Sequence, residues 1–193
     1  MISAHGHAAI IVKLTCAWCS IQNESNSQAI VRMRTEFRKA IVAKQIRSLI
    51  EFDRKAFEEY PADWFDAATW RTCEPWWMLV NNKRIGCCAF ISNVDFKEDI
   101  RDDRINASES GTLYIVSTGI LPSFRSLGFG TLMKSWQVCY ARRHGFSRIV
   151  TNTRKSNRPM IGLNKKFGFR VVRTTSDYYE NPPEPTLVME LEL

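Results

Sequence analysis

Ile120-Leu121-Pro122-Ser123-Phe124-Arg125-Ser126-Leu127-Gly128-Phe129-Gly130 is the stretch on which the fold turns. Upstream, Thr112 to Leu121 reads as a buried-type strand, rich in Tyr, Ile, Val and Thr. Pro122 ends it, because proline has no N–H to give to a ladder. Downstream, Leu132, Met133, Trp136 and Cys139 make one apolar stripe, which predicts a helix from Thr131 to His144 closed by Gly145. A strand therefore runs through a glycine turn into a helix N-terminus. Such a terminus carries unpaired N–H groups and the positive end of a dipole, so anions bind there. Gly128 and Gly130 let the backbone approach a bulky diphosphate with no Cβ in the way. Arg125 and Thr131 can add side-chain donors to phosphate oxygens. The turn is not a P-loop, since no Gly-Lys-Ser/Thr ending is present, and it lacks the third glycine of the dinucleotide fingerprint.

The flanking sequence supplies the rest of a mixed α+β domain. Ile30 to Arg34 reads as a first strand. Val42, Ile46, Leu49, Ile50 and Phe57 fall at helical spacing, which predicts an amphipathic helix from about Lys39 to Glu58 with Asp53 alone breaking its apolar face. Pro61 to Trp70 reads as a second, short helical stretch. Trp77 to Val80 and Ile85 to Ile91, joined by a polar turn, predict an antiparallel hairpin. Asp95 to Gly111 is charged and irregular and reads as a surface loop. Ile149 to Thr151 is a short strand. Ser156 is a candidate N-cap and Gly168 a terminator for the helix between them. Arg170 to Thr174 and Thr186 to Leu193 are the last strands, with Tyr178, Tyr179 and three prolines in the loop between them. The expected order is β-α-α-β-β-β-α-β-α-β-β, a central sheet with flanking helices.

Composition bounds the function. The 193 residues are 45% hydrophobic and 24% charged, which fits one globular domain and argues against global disorder. Residues 1–28 read as a poorly structured extension, and 29–193 as the domain. The formal charge of +7 suits a phosphate-bearing partner, and a small anion satisfies it as well as nucleic acid does. No basic run marks a nucleic-acid tract, and no apolar stretch is long enough for a membrane span. Cys16 and Cys19 form a CxxC without the second pair that a zinc site needs, so no metal is expected. Cys87, Cys88 and Cys139 lie in apolar runs and read as reduced core thiols of a cytoplasmic protein.

About thirty residues after the glycine turn comes Asn157-Arg158-Pro159-Met160-Ile161-Gly162-Leu163-Asn164-Lys165-Lys166-Phe167-Gly168-Phe169. The two segments together resemble the central motifs of the Gcn5-related N-acetyltransferase (GNAT) superfamily, over roughly Ile30 to Leu193. The resemblance implies a mostly antiparallel twisted sheet and transfer of an acetyl group from acetyl-CoA to a primary amine. It implies that Thr118, Gly119 and Ile120 offer backbone groups to the pantetheine arm and thioester. By the same match Arg125, Ser126, Leu127, Gly128, Phe129, Gly130 and Thr131 hold the pyrophosphate, and Asn157 touches the coenzyme. Asn157 can equally cap its helix. Gly119 suits a strand bulge that opens a cleft, or a packing notch.

The catalytic groups are less plain. The bacterial ribosomal-protein alanine acetyltransferases carry Glu where Asn152 stands and Tyr where Asn164 stands, and an asparagine is neither base nor acid near neutral pH. Other members place a base at the position of Tyr114. Tyr114 and Asn164 are thus the candidate catalytic residues, with a water-relayed path through Glu74, Asp95 or Glu109 as another route. Tyr178 and Tyr179 resemble paired tyrosines that hold a peptide substrate in the N-terminal branch. Trp64, Trp70, Trp76 and Trp77 form either one wall of the acceptor pocket or core. The favoured acceptor is a small-molecule amine. The alternatives are a protein N-terminus or lysine, and a catalytically weak coenzyme-binding sensor. The chain is expected to act as a monomer or homodimer.

Overall fold

The computed structural model describes residues 34–91 and 111–193. The strand expected over Ile30 to Arg34, except Arg34 itself, lies outside the described residues, as do the loop from Asp95, Glu109 and the Cys16–Cys19 pair. The elements are β1 (Thr35–Lys39), α1 (Val42–Ala56), α2 (Ala67–Thr72), β2 (Glu74–Val80), β3 (Lys83–Ile91), β4 (Thr112–Ile120), α3 (Phe129–Arg143), β5 (Arg148–Arg154), α4 (Arg158–Lys166), β6 (Arg170–Glu180) and β7 (Pro183–Glu192). Their order is the expected one. The seven strands form one sheet in the order β1-β2-β3-β4-β5-β7-β6. Only β4 and β5 run parallel; every other neighbouring pair is antiparallel.

Strand alternation sends side chains to two cores. Phe37, Trp76, Cys88, Phe90, Leu113, Ile115 and Ile149 pack on one face with Phe129, Met133 and Trp136 of α3. Phe37 and Trp136 stack with centroids 4.4 Å apart. The residues one step along, Trp77, Leu79, Cys87 and Ala89, face the other way onto Leu49, Phe52 and Ala56 of α1 and Trp70 of α2. Burying such large rings and side chains contributes roughly 1.5–3 kcal/mol each. Trp70, Trp76 and Trp77 are therefore core, one reading of the tryptophans. Trp64 donates its indole N–H to the Phe57 carbonyl at 2.8 Å and holds the end of α1.

The site is created where β4 leaves β5. Their pairing covers only Thr112–Ile115 against Arg148–Thr151, and its last rung carries a Thr151 hydroxyl bond to the Ile115 carbonyl at 3.0 Å. Beyond it both strands continue without each other. On the opposite edge of β4, Ala89 faces Ser117 while Phe90 faces Ile115, so Val116 is one residue too many. That bulge raises local twist and turns the strand end away. The bulge is at Val116, not Gly119. Gly119 pairs regularly with Cys87, and a Cβ there would come 3.1 Å from Ala56 Cβ and from the Phe57 ring. Gly119 is thus the packing notch that admits the end of α1.

The last hairpin is longer than the sequence suggests. β6 runs to Glu180 and β7 starts at Pro183, leaving a tight turn at Asn181-Pro182. Tyr178 and Tyr179 lie on β6, not in a loop, and Pro183 and Pro185 lie on β7. The prolines are tolerated because the ladder there is irregular, with a register shift between Thr175 and Tyr179 that includes Asp177 at φ 52°.

Candidate active site

Two clefts open at the gap between β4 and β5. The first, of about 470 Å³, lies on the side of the glycine turn and is lined by Thr118, Gly119, Ile120, Arg125, Ser126, Gly130 and Asn157, among others. Gly128 has φ 91°, which L side chains rarely adopt, and serves as the N-cap of α3. The bond from Leu132 N to the Gly128 carbonyl (3.1 Å) leaves the amides of Phe129, Gly130 and Thr131 ahead of it, at the head of the helix. A Cβ on Gly130 would meet only Leu163 Cδ2, at an ordinary 3.6 Å. Protein packing does not require glycine there, whereas a ligand lying against that backbone would. This cradle fits a diphosphate.

The side chains around the turn are less engaged than the sequence suggests. Arg125 donates through Nε to the Ile120 carbonyl at 3.1 Å and through Nη2 to the Ala56 carbonyl. It ties the turn to β4 and to the end of α1, so these donors are not aimed at a phosphate. Phe129 is a core ring, and Leu127 is 51% exposed. Neither they nor Thr131 line the cleft, so only their backbone can serve a ligand. Asn157 both lines the cleft and caps α4, its Oδ1 accepting from Met160 N at 3.1 Å. Asn157 takes the cap expected of Ser156. The Ser156 amide and hydroxyl are both held by Glu184 instead.

The second cleft, of about 670 Å³, shares Phe57, Tyr60, Thr118, Asn157 and Met160 with the first. Its further lining includes Tyr114, Asn152, Tyr178, Tyr179, Asp53 and Arg154. Tyr114 is buried and its hydroxyl donates to Asn152 Oδ1 at 2.7 Å. Tyr178 and Tyr179 pack edge to face at 4.9 Å. Burial pushes the Tyr179 phenol up to about 12, so it stays protonated. Asn164 is fully buried under α4, gives Nδ2 to Met189 Sδ at 3.6 Å, and lines neither cleft. Helical phase turns it inward, away from the gap. Glu74 is taken up by Lys39, Trp76 and Tyr140 outside both clefts, so it begins no relay into them.

A family model described as the acetyltransferase (GNAT) family matches residues 43–169. The chain belongs to this family. It is 36% identical over 76 residues to the probable N-acetyltransferase san of Drosophila melanogaster, covering 39% of this chain and 41% of that one. It is 35% identical over 69 residues to N-alpha-acetyltransferase 50 of Danio rerio, covering 35% and 41%. The chain spans about two fifths of the length of these relatives. Its fold matches the Escherichia coli ribosomal-protein-S18-alanine N-acetyltransferase with a TM-score of 0.65 at 13% identity, over 82% of this chain and 94% of that one. A GNAT family acetyltransferase from Elizabethkingia anophelis with acetyl-CoA bound matches at 0.60 and 16% identity, over 82% and 98%.

Three charged residues of this GNAT domain were not singled out as site residues by sequence. Asp53 is 3% exposed, and burial raises its carboxyl to about 6 despite the bond its Oδ2 accepts from Phe65 N at 2.7 Å. Its break in the apolar face of α1 was the signal. Lys134, on α3, is 1% exposed, although lysines are rarely found fully buried. Arg154, at the end of β5, bonds Asp63 through Nε and Nη2 at 2.9 Å each and reaches Glu184 at 3.3 Å. Its guanidinium lies over Tyr60 at 4.4 Å and Tyr179 at 4.0 Å. No sequence pattern announces a contact of that separation. Among the described residues no cluster suits a metal ion.

Proposed function

We propose that this GNAT chain transfers an acetyl group from acetyl-CoA to the free α-amine of a polypeptide. The observation that carries the reading is the meeting of the two clefts at the gap where β4 leaves β5. One cleft is headed by a helix N-terminus and the other is walled by tyrosines. Acetyl-CoA is a co-substrate that supplies a thioester carbonyl and a thiol leaving group.

The protein's part is to bind, orient and move protons. The amides heading α3, with Ser126 and Gly130, receive the diphosphate. Beyond Ile115 the β4 edge has no β5 partner, so alternate backbone groups of Ser117 to Ile120 face the gap. They can carry a pantetheine chain and give an N–H to a developing oxyanion. Tyr114 and Asn152 sit on the acceptor side of the gap. The phenol gives its proton to Asn152, so its oxygen lone pairs can accept from an incoming amine or from a water. Tyr60, Tyr178 and Tyr179 offer flat surfaces and hydroxyls to a peptide backbone. The names of the relatives, among them N-alpha-acetyltransferases, support an α-amine acceptor.

A small primary amine is a second reading. Arg154 joins the two lips of the acceptor cleft, which favours a slender acceptor. The test offers acetyl-CoA with three probes: peptides with free N-termini, the same peptides N-terminally blocked but carrying lysine, and a panel of small amines. Mass gain on the free-N-terminus peptides alone is the expected result. Acetylation of the blocked peptides or of small amines alone would replace the α-amine assignment. No transfer to any probe, with coenzyme still bound, would overturn the enzyme reading in favour of a sensor.

A further inference from the structure

The buried charge of Lys134 has no counterpart in the functions assigned so far. It lies on α3 about one turn below the diphosphate cradle, 1% exposed, and lines the acceptor cleft together with Ser117, Thr118 and Thr151. These are the residues at which the two strands part. One turn along the same helix, Gln137 donates to Thr118 Oγ1 at 2.9 Å, so this face of α3 is turned to the gap. The Lys134 ammonium stands 5.1 Å from the centroid of the Phe169 ring.

Among the described residues, the groups around Lys134 offer its charge a ring face at Phe169 but no anion. β3 presents Cys88, the one titratable neighbour, itself fully buried and pushed up to about 12 by burial, hence a neutral thiol. β4 contributes Ser117 and Thr118, and β5 Thr151, to the same cleft lining, Phe169, three residues past α4, sets its ring against the ammonium, and Gln137 follows one turn along α3. Among the described residues no carboxylate pairs with Lys134. Burying an ammonium without a carboxylate is costly, and an apolar side chain would fill the same position without that cost. A group kept under such conditions in the lining of a reaction cleft is a candidate for chemistry.

We propose that Lys134 is the general acid that protonates the departing coenzyme thiol. This rests on the transferase reading above. The acceptor nitrogen forms a bond to the thioester carbonyl carbon and releases a proton on the Tyr114 side. The carbon–sulfur bond breaks, and the electron pair stays on sulfur. Lys134 Nζ gives that sulfur one proton and becomes neutral. Water in the cleft restores the proton, so per turnover the acceptor nitrogen gives up one proton to water and Lys134 takes one back. Asn164, buried in the core outside both clefts and without an acidic proton, cannot do this.

Physical chemistry supports the match. Burial lowers the Lys134 ammonium to about 8. A thiol of the cysteine type titrates near ~8.5. Donor and leaving group are thus nearly matched, which is the condition under which a positioned acid is effective. At neutral pH the lysine is mostly in the protonated, donating form.

The experiment compares wild type with Lys134→Met by thiol release from acetyl-CoA, at saturating acceptor peptide and across pH 6 to about 10. Wild-type kcat is expected to fall as pH rises through about 8, where the acid is lost. Lys134→Met should lose at least about tenfold in kcat at pH 7, lack the high-pH limb, bind acetyl-CoA as wild type does and melt at an equal or higher temperature. A merely structural lysine predicts the reverse: lower Tm with the limb retained. Either an unchanged pH profile in the variant or a wild type with no limb near 8 overturns the proposal. So does an acetyl group found covalently on Lys134 and chased to the acceptor, which would make it a nucleophile. Lys134→Gln is the second variant, should Met not be accommodated. A wild type that binds acetyl-CoA but transfers nothing to any acceptor fails the transferase reading itself, a result distinct from all of these.

Discussion

Tyr114 Oη donates to Asn152 Oδ1 at 2.7 Å, across the last rungs that join β4 to β5. The bond fixes the buried phenol in the wall of the acceptor cleft, with its proton directed at Asn152. Tyr114→Phe leaves the half-buried Asn152 amide oxygen without this donor, a loss of about 1 kcal/mol in stability. If the phenol also receives or relays the acceptor proton, kcat falls by about tenfold or more with acetyl-CoA binding intact. Steady-state kinetics beside urea unfolding separates the two effects. A variant with normal kcat and the small stability loss reduces Tyr114 to a strut.

The two turn glycines should behave differently. Gly128 sits at φ 91°, so Gly128→Ala strains the backbone by about 1–2 kcal/mol whether or not a ligand binds. Gly130 has ordinary space for a Cβ. Gly130→Glu should fold as well as wild type, because a carboxylate in the first turn of a helix is favourable by about 0.3–1 kcal/mol. It should nonetheless lose the rise in Tm that acetyl-CoA gives to the wild type by mass action. An undiminished rise in Gly130→Glu would remove the diphosphate from this turn.

The glycine turn and its helix were legible in sequence because local chemistry decides them: a strand, a proline stop, a left-handed glycine and an amphipathic stripe. Element order was legible for the same reason. Of the acceptor cleft, Tyr114, Tyr178 and Tyr179 were named from sequence, but the opening that brings them together was not. The Val116 bulge is a mismatch between two strands, and nothing in the Val116 side chain announces it. Asn164 looked catalytic by position, but the phase of α4 turns it into the core. Arg125 and Arg154 each bind groups far away in sequence, so their roles as ties follow from tertiary contacts alone. Nothing in the sequence singles out Lys134, and the packing of α3 on the sheet is what buries it.

Asp53 makes a prediction with a definite sign. Its folded pKa, about 6, lies above the 3.8 expected of an unfolded aspartate. Between those values the folded state binds more protons than the unfolded one, so stability falls as pH rises through this window. The penalty is absent below about pH 4 and complete above about 6, at roughly 3 kcal/mol. Asp53→Asn keeps an oxygen for the Phe65 amide and carries no charge. It should be more stable than wild type at pH 8 and nearly equal at pH 4, as read by urea midpoints. Equal gains at both pH values would mean that the benefit comes from packing instead of charge.

Arg154 ties the lips of the acceptor cleft, and its removal should be felt at both. Its Nε and Nη2 grip the Asp63 carboxylate, while Nη1 reaches the Pro182 carbonyl at 3.2 Å and Glu184 at 3.3 Å. The side chain is 4% exposed, although Asp63 keeps 28% of its surface in water. Arg154→Met leaves two carboxylates and the Asn181 and Pro182 carbonyls without their donor. Loss of a wholly buried pair partner costs about 3–5 kcal/mol; with Asp63 partly solvated, about 2 kcal/mol is expected here. Arg154→Lys should recover little of it, since an ammonium cannot reproduce the two-pronged grip or lie flat over Tyr60 and Tyr179. If the tie shapes acceptor binding, KM for the peptide rises severalfold in both variants while the affinity for acetyl-CoA, held at the other cleft, stays put. A lysine variant with wild-type KM and stability would show that charge alone suffices and that the planar grip is dispensable.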